Sequence, residues 1–248
     1  MSRVYVGNDI VDLGQHRTEG RATDERFVGR VFDADEQAAI ADADDADLEL
    51  WTRWAAKEAG FKVVSKLLGA PPPFVHRAFS VEWSGYGQGQ ETSEDRVVRE
   101  GHVTHVEHRA RVSVFLRPGS VHAVAFGSTL GPLSEDEPLQ PRVVPLESPE
   151  SHWTGPLDVL KARFTPRELD AVYSLQSAAV RLGARAHLAD ALGVDEKRLE
   201  IVCDPGPASQ RPPRVLLDGA RAEADVSLSH DGRWIAWVLW VDTRTENR

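Results

Sequence analysis

Three stretches of this chain carry side chains whose types and spacing could do chemistry. Asp9 sits inside Val4 to Leu13, V-Y-V-G-N-D-I-V-D-L, a near-continuous apolar run that reads as a buried strand holding one carboxylate. A buried carboxylate is costly unless it is paired or bound to a cation; the alternative is that Asp9 caps a turn after Gly7-Asn8. Glu58 and Lys62 lie four residues apart in W-T-R-W-A-A-K-E-A-G-F-K-V-V-S-K-L-L, Trp51 to Leu68, and so share one side of a helix. Taken alone they read as a surface ion pair of small energetic weight. Ser229-His230 stand just before Asp231-Gly232, either satisfying the backbone of a hairpin or contributing to a site.

The elements that must position these groups follow from periodicity. Leu50, Trp54, Phe61, Val64 and Leu68 recur at helical spacing and predict the buried face of a helix that Gly69-Ala70-Pro71-Pro72-Pro73 stops. Asp33 is placed to cap a short helix before it. Phe79 to Trp83 reads as a strand, Gly85 to Glu100 as a long hairpin loop, and Val112 to Phe126 as a hairpin about Pro118-Gly119. His102, His105 and His108 suggest a metal site, but the alternation through Val103, Val106 and Ala110 predicts a strand with His105 on the face opposite the other two. Ser128 to His152 is rich in Pro, Ser and Glu without periodicity and is the expected linker.

The second half echoes the first. Phe164-Thr165-Pro166-Arg167-Glu168 repeats the pattern of Phe32-Asp33-Ala34-Asp35-Glu36, a helix over Ala178 to Leu192 ends in Gly193, and Val226 to Val241 resembles the hairpin at Val112. Sliding the helices so that Gly69 meets Gly193 puts Arg181 against Lys57, Leu182 against Glu58 and Ala186 against Lys62. The carboxylates therefore belong to the first copy and the Ser-His pair to the second, as if one of two equivalent interface sites had been lost.

The bulk numbers bound these readings. The chain has 248 residues, 41% of them hydrophobic, enough for one large or two ordinary cores. A net charge of -10 argues against nonspecific nucleic-acid binding, although Arg17, Arg21, Arg26 and Arg30 make a local basic patch. The one cysteine, Cys203, is compatible with a reducing compartment, and neither a signal-peptide pattern nor a membrane-length apolar run is expected. A cytoplasmic monomer is the expectation.

Gly7-Asn8-Asp9-Ile10-Val11 followed by Trp54-Ala55-Ala56-Lys57-Glu58-Ala59-Gly60-Phe61-Lys62 resembles the paired signature of the 4'-phosphopantetheinyl transferase superfamily, G-x-D then W-x-x-K-E-x-x-x-K. Ser229-His230-Asp231-Gly232-Arg233-Trp234 looks like the Ser-His element of its two-copy, surfactin-type members, in which the Ser-His half generally comes first; here the order is swapped. The resemblance implies an α+β fold of two pseudo-twofold-related copies of one unit, each a long helix packed on a small antiparallel sheet. The expected divisions are a metal-binding half (1-130), a linker (131-152) and a coenzyme A-binding half (153-248).

It also implies a reaction: phosphopantetheine moves from coenzyme A to a serine of an apo acyl or peptidyl carrier protein, and 3',5'-ADP is released. Mg2+ would be held by Asp9 and Glu58; a third acid that many surfactin-type members carry is Val11 here, which resembles the acyl carrier protein synthase type. Glu58, or a water it holds, would take the serine proton, and Lys62 would contact the pyrophosphate. Ser229 and His230 would reach the 3'-phosphate, with Arg181, Arg185, Arg211 and Lys57 as further phosphate contacts. Carrier proteins are acidic, so Arg17, Arg21, Arg26 and Arg30 are the expected docking patch. Competing readings are a non-catalytic coenzyme A or carrier binding module and an unrelated metal-dependent hydrolase using Asp9, Glu58 and the histidine run.

Overall fold

The computed structural model describes residues 3-73, 75-85, 96-129, 139-148, 153, 155-205 and 211-242. The first unit runs β1 (Val4–Asp12), α1 (Glu25–Val31), α2 (Ala34–Ala41), α3 (Ala46–Leu67), β2 (Ser80–Gly85), β3 (Arg96–His105), β4 (His108–Arg117) and β5 (Ser120–Ser128). Its antiparallel sheet has the order β1-β5-β4-β3-β2, and α3 lies across one face. Local chemistry starts the helices: Asp33 and Glu36 close a capping box on α2, and the Asp45 carboxylate accepts from the Leu48 N–H at the start of α3.

α3 packs more tightly than its aromatic residues suggest. Its fully buried stripe is Leu50, Ala55, Ala56, Ala59, Val63 and Val64, while Trp54 and Phe61 are half-buried flanks and Leu68, expected inside, is 48% exposed. The reason is close approach. A Cβ on Gly7 of β1 would lie 2.1 Å from the Ala59 carbonyl oxygen, and one on Gly60 would lie 2.5 Å from Val103. Small residues on the contact face let helix and sheet touch at the backbone, which displaces the large side chains to its edges.

The second unit comprises β6 (Gln140–Pro145), α4 (Leu157–Lys161), α5 (Pro166–Leu169), α6 (Leu175–Leu192), β7 (Leu199–Val202), β8 (Arg214–Leu217), β9 (Ala220–Arg221), β10 (Ala224–Asp231) and β11 (Trp234–Val241). It holds two three-stranded sheets, β10-β11-β6 and β7-β8-β9, with α6 against β11, β10 and β7. Strand β6 lies within the stretch expected as the linker, 131-152: Gln140 to Pro145 pair with β11. Its prolines, Pro141 and Pro145, are tolerated because β6 is an edge strand. The rest of that stretch, apart from 139 and 146-148, lies outside the described residues, as do 86-95 of the expected hairpin loop. The histidine run is likewise not one strand, because Val106-Glu107 form the turn between β3 and β4, with Val106 at φ 53°. His105 stacks on Phe79, ring centroids 4.3 Å apart, and the described residues hold no cluster of three metal-ligating side chains.

One contact pattern recurs in the two units. In the first, Glu36 receives the buried Lys57 ammonium and the Val81 N–H, and Lys57 lies 5.3 Å from the Phe32 ring centroid. In the second, Glu168 receives Arg185 and the Ile201 N–H, and Arg185 lies 5.4 Å from the Phe164 ring. The pattern matches Lys57 with Arg185, one helical turn beyond the Arg181 that the glycine alignment selects. No helix among the described residues is long and apolar enough to cross a membrane.

The units meet along β1 and β10, which run parallel. The N–H groups of Val6, Asn8, Ile10 and Asp12 donate to the side chains of Asp225, Ser227, Ser229 and Asp231, at a constant separation of 219 residues. Val4, Val6, Val124 and Phe126 pack on Val238 and Trp240 beside this seam.

The packing of α3 on β1 yields a stability test. Gly7→Ala is expected to lower stability by about 1–3 kcal/mol, the usual cost of overpacking a rigid contact. Gly29→Ala in α1, where an added Cβ meets nothing within 4 Å, should be neutral or stabilising by up to about 1 kcal/mol. Urea unfolding midpoints of both variants decide it.

Candidate active site

The Asp9 carboxylate lies where β1, α3 and β10 converge. Its Oδ1 accepts from the Ser229 hydroxyl at 2.9 Å and from the Lys62 ammonium at 3.1 Å. Lys62 also donates to the carbonyls of Asn8, at 2.6 Å, and Leu228, at 3.4 Å, so one ammonium ties the two strands together. One turn further along α3, Lys66 repeats this with the Val6 and Val226 carbonyls and the Asp225 carboxylate. Glu58 and Lys62 form no ion pair with each other among the described residues. Lys62 turns to Asp9, and Glu58 lies 3.5 Å from His76, whose ring stacks on Trp54 at 4.5 Å.

Burial pushes the Asp9 carboxyl up to about 6; the Lys62 charge opposes the rise and the Glu58 charge adds to it. The Glu58 carboxylate thus acts on the space that Asp9 faces and disfavours the ionisation of Asp9. Asp9 Oδ2 accepts no hydrogen bond among the described residues. Hard carboxylate oxygens with mutual repulsion and an uncommitted lone-pair site fit a divalent cation such as Mg2+, which takes a few carboxylates and keeps several waters.

On the other side of β10, His230 lines a cavity of 290 Å³ together with Lys62, Arg181, Arg211, Tyr173 and Cys203. Burial, then the Lys62 and Arg181 charges, hold the His230 imidazole below its ordinary value against the opposing pull of Asp231. This favours the neutral imidazole, a donor through one ring nitrogen. Arg181 is buried, donates to the Ser177 carbonyl, and its Nε has no acceptor among the described residues. The cavity therefore collects cationic groups of both units beside the carboxylate cluster.

The family model of the 4'-phosphopantetheinyl transferase superfamily matches residues 5-113, from β1 into β4. These residues belong to the 4'-phosphopantetheinyl transferase superfamily. The match supports a phosphopantetheinyl transferase role. The match contains Asp9, Glu58 and Lys62 and stops before Ser229 and His230. No curated protein matches the chain.

Two residues expected at the transferase site are engaged elsewhere. Lys57 is fully buried, its ammonium enclosed by Glu36 and the carbonyls of Val31, His76 and Phe79, so it braces the core and cannot reach a ligand in the cavity. Adjacent helical residues point about 100° apart, so Lys57 faces the core while Glu58 faces the cluster. Arg185 is also buried and spends its donors on Glu196, Glu168 and the Arg163 carbonyl. Ser229 is present but committed twice, capping the Ile10 N–H and holding Asp9. In the basic patch, Arg17 pairs with Asp231 and Arg21 with Asp24, which leaves Arg26 and Arg30 exposed.

Lys66, Asp225 and His76 were absent from the sequence reading. Lys66 follows Lys62 by one helical turn, and Asp225 shares the strand parity of Ser229, so both signals were available. His76 had none, because the turn that brings it to Glu58 is irregular.

The raised Asp9 carboxyl predicts a pH signature. Because the folded value, about 6, exceeds the ordinary 3.8, the fold favours the neutral acid. That contribution is complete below about pH 4 and is lost as pH rises through about 6. In chelator, Asp9→Asn should match the parent at pH 4 and exceed its stability at pH 7 by on the order of 2–3 kcal/mol. Denaturation midpoints of the two proteins across pH 4 to 7 measure the difference.

Proposed function

We propose that this chain transfers phosphopantetheine from coenzyme A to a serine hydroxyl of an apo carrier protein and releases 3',5'-ADP. The observation that carries the reading is the convergence on Asp9: Lys62 comes from the first unit, Ser229 from the second, and the next residue, His230, opens onto the cationic cavity. In the proposed reaction the serine oxygen bonds to the phosphorus bearing pantetheine, the bond from that phosphorus to the bridging oxygen breaks, and the electron pair leaves with 3',5'-ADP.

Each residue has a task that its surroundings support. Glu58, or a water it holds, accepts the serine proton, since a neutral hydroxyl is a poor nucleophile. Lys62 places a fixed positive charge beside the pyrophosphate, where charge develops on the leaving group. His230, Arg181 and Arg211 receive the nucleotide phosphates from the opposite wall. Asp9 and Glu58 would hold Mg2+, which when bound neutralises phosphate charge. The carrier approaches over α1, where Arg26 and Arg30 complement an acidic helix. The repeated Glu36–Lys57 and Glu168–Arg185 networks support descent of both units from one duplicated ancestor.

Incubating the protein with apo carrier, coenzyme A and magnesium should add the phosphopantetheine mass to the carrier. Glu58→Gln should lower the rate at least about a hundredfold, the lower end of general-base contributions, while coenzyme A still binds. His230→Ala should instead raise KM for coenzyme A with a smaller change in kcat. A carrier whose mass never changes would refute the reading.

A further inference from the structure

The protein has a second cavity, of 650 Å³, more than twice the size of the one beside Asp9. Leu67 at its wall stands nine residues beyond Glu58 on α3, about 14 Å away at the helical rise. The other walls are the β3–β4 hairpin and the end of β5, so no residue of the proposed transferase site borders it. Its volume falls within the range of about 300–1,000 Å³ typical of small-molecule sites.

The lining is chemically one-sided. His102, His108, Arg109 and Arg111 face Phe126 and Thr129, with Glu107 the one acidic side chain among the lining residues. Sheet register explains part of the clustering: His102 pairs with Arg111 and Arg111 with Phe126, which sets the three in a row across β3, β4 and β5. The Arg111 guanidinium lies 5.7 Å from the Phe126 ring centroid, a stacked position that orients it without consuming its N–H donors. Each arginine has one loose ion-pair partner, longer than a hydrogen bond: Glu82 at 3.9 Å from Arg109 and Glu100 at 3.7 Å from Arg111. Glu82 is itself 73% exposed. Burial, then the charges of Arg109 and Arg111, hold His102 below its ordinary value, with the Glu82 charge opposing them.

We propose that this cavity binds a small phosphate-bearing molecule, its phosphate oxygens received by Arg109 and Arg111 with His102 and His108 beside them. Planar guanidinium forks match phosphate oxygens, and two of them two residues apart on one strand face span a single phosphate group. The cavity is larger than a bare ion requires, so the rest of the ligand occupies the remaining space. This inference does not rest on the transferase reading.

Histidine side-chain NMR of the full chain tests it, because the two cavities report through different residues. Inorganic phosphate, glycerol phosphate and adenosine monophosphate are titrated separately, and signals are assigned from single histidine substitutions. The expected result is a saturable shift of His102 and His108, weakened at least about tenfold in Arg109→Gln/Arg111→Gln, while any His230 shift is unchanged in that variant. Tighter binding of either ester than of inorganic phosphate identifies an organic ligand; equal affinities identify the free ion and overturn the claim for a larger molecule. Stationary His102 and His108 signals, or shifts that persist in the double variant, overturn the site itself. If the double variant fails to fold, Arg109→Gln alone, altering an exposed side chain, should still weaken binding.

Discussion

The seam between β1 and β10 is the constraint on which the rest of the structure depends. Each strand ends its own sheet and presents a row of backbone groups that burial would leave without water. The strands do not join through a backbone ladder. Four side chains of β10 cap four N–H groups of β1, and two lysines of α3 collect carbonyls from both strands. A typical hydrogen bond adds only about 0.5–1.5 kcal/mol net, whereas a buried donor left unmade costs about 1–3 kcal/mol, so the seam is governed more by what breaking it exposes. Lys66 and Asp225 show the same balance. Burial pushes the lysine down and the aspartate up, and the charge of each opposes the shift of the other.

The candidate site is part of that seam. Strand alternation sends Asp225, Ser227, Ser229 and Asp231 toward β1 and leaves His230 facing the cavity, so one dipeptide serves both. Ser229 holds the Asp9 carboxylate with the same hydroxyl that caps Ile10, and Lys62 holds it with the ammonium that bridges Asn8 and Leu228. Asp9 is consequently placed by groups already fixed by backbone satisfaction. Such a carboxylate does not reorganise when charge arrives, which suits electrostatic preorganisation.

The Glu36–Lys57 and Glu168–Arg185 networks brace each unit behind the site. In both, a glutamate that closes a helix cap also receives a cation from the long helix and an N–H from a neighbouring strand. Breaking such a buried pair is far more costly than never having built it. The bracing explains why Lys57, next to a site residue in the chain, takes no part in the site.

Periodicity and local chemistry determined much by themselves. The long helices, the hairpin at Pro118-Gly119, the strand around Asp9 and the Ser229-His230 strand end were legible because each depends on neighbours within a few residues. Asp9, Glu58, Lys62 and His230 were legible as candidates because their motifs together resemble a family signature; taken alone, Glu58 and Lys62 read as a surface ion pair. Tertiary structure alone decided direction and pairing. Whether Lys57 or Glu58 faces the sheet depends on the rotation of α3, which Gly7, Ala59 and Gly60 set through backbone contact. Strand β6 is short, proline-bearing and at an edge, so its identity comes from β11 rather than from its own sequence. The seam joins residues 219 apart, and the capture of Arg185 by Glu168 is equally nonlocal. No local propensity encodes such contacts, since they are worth making only once two sheets have brought their edges together.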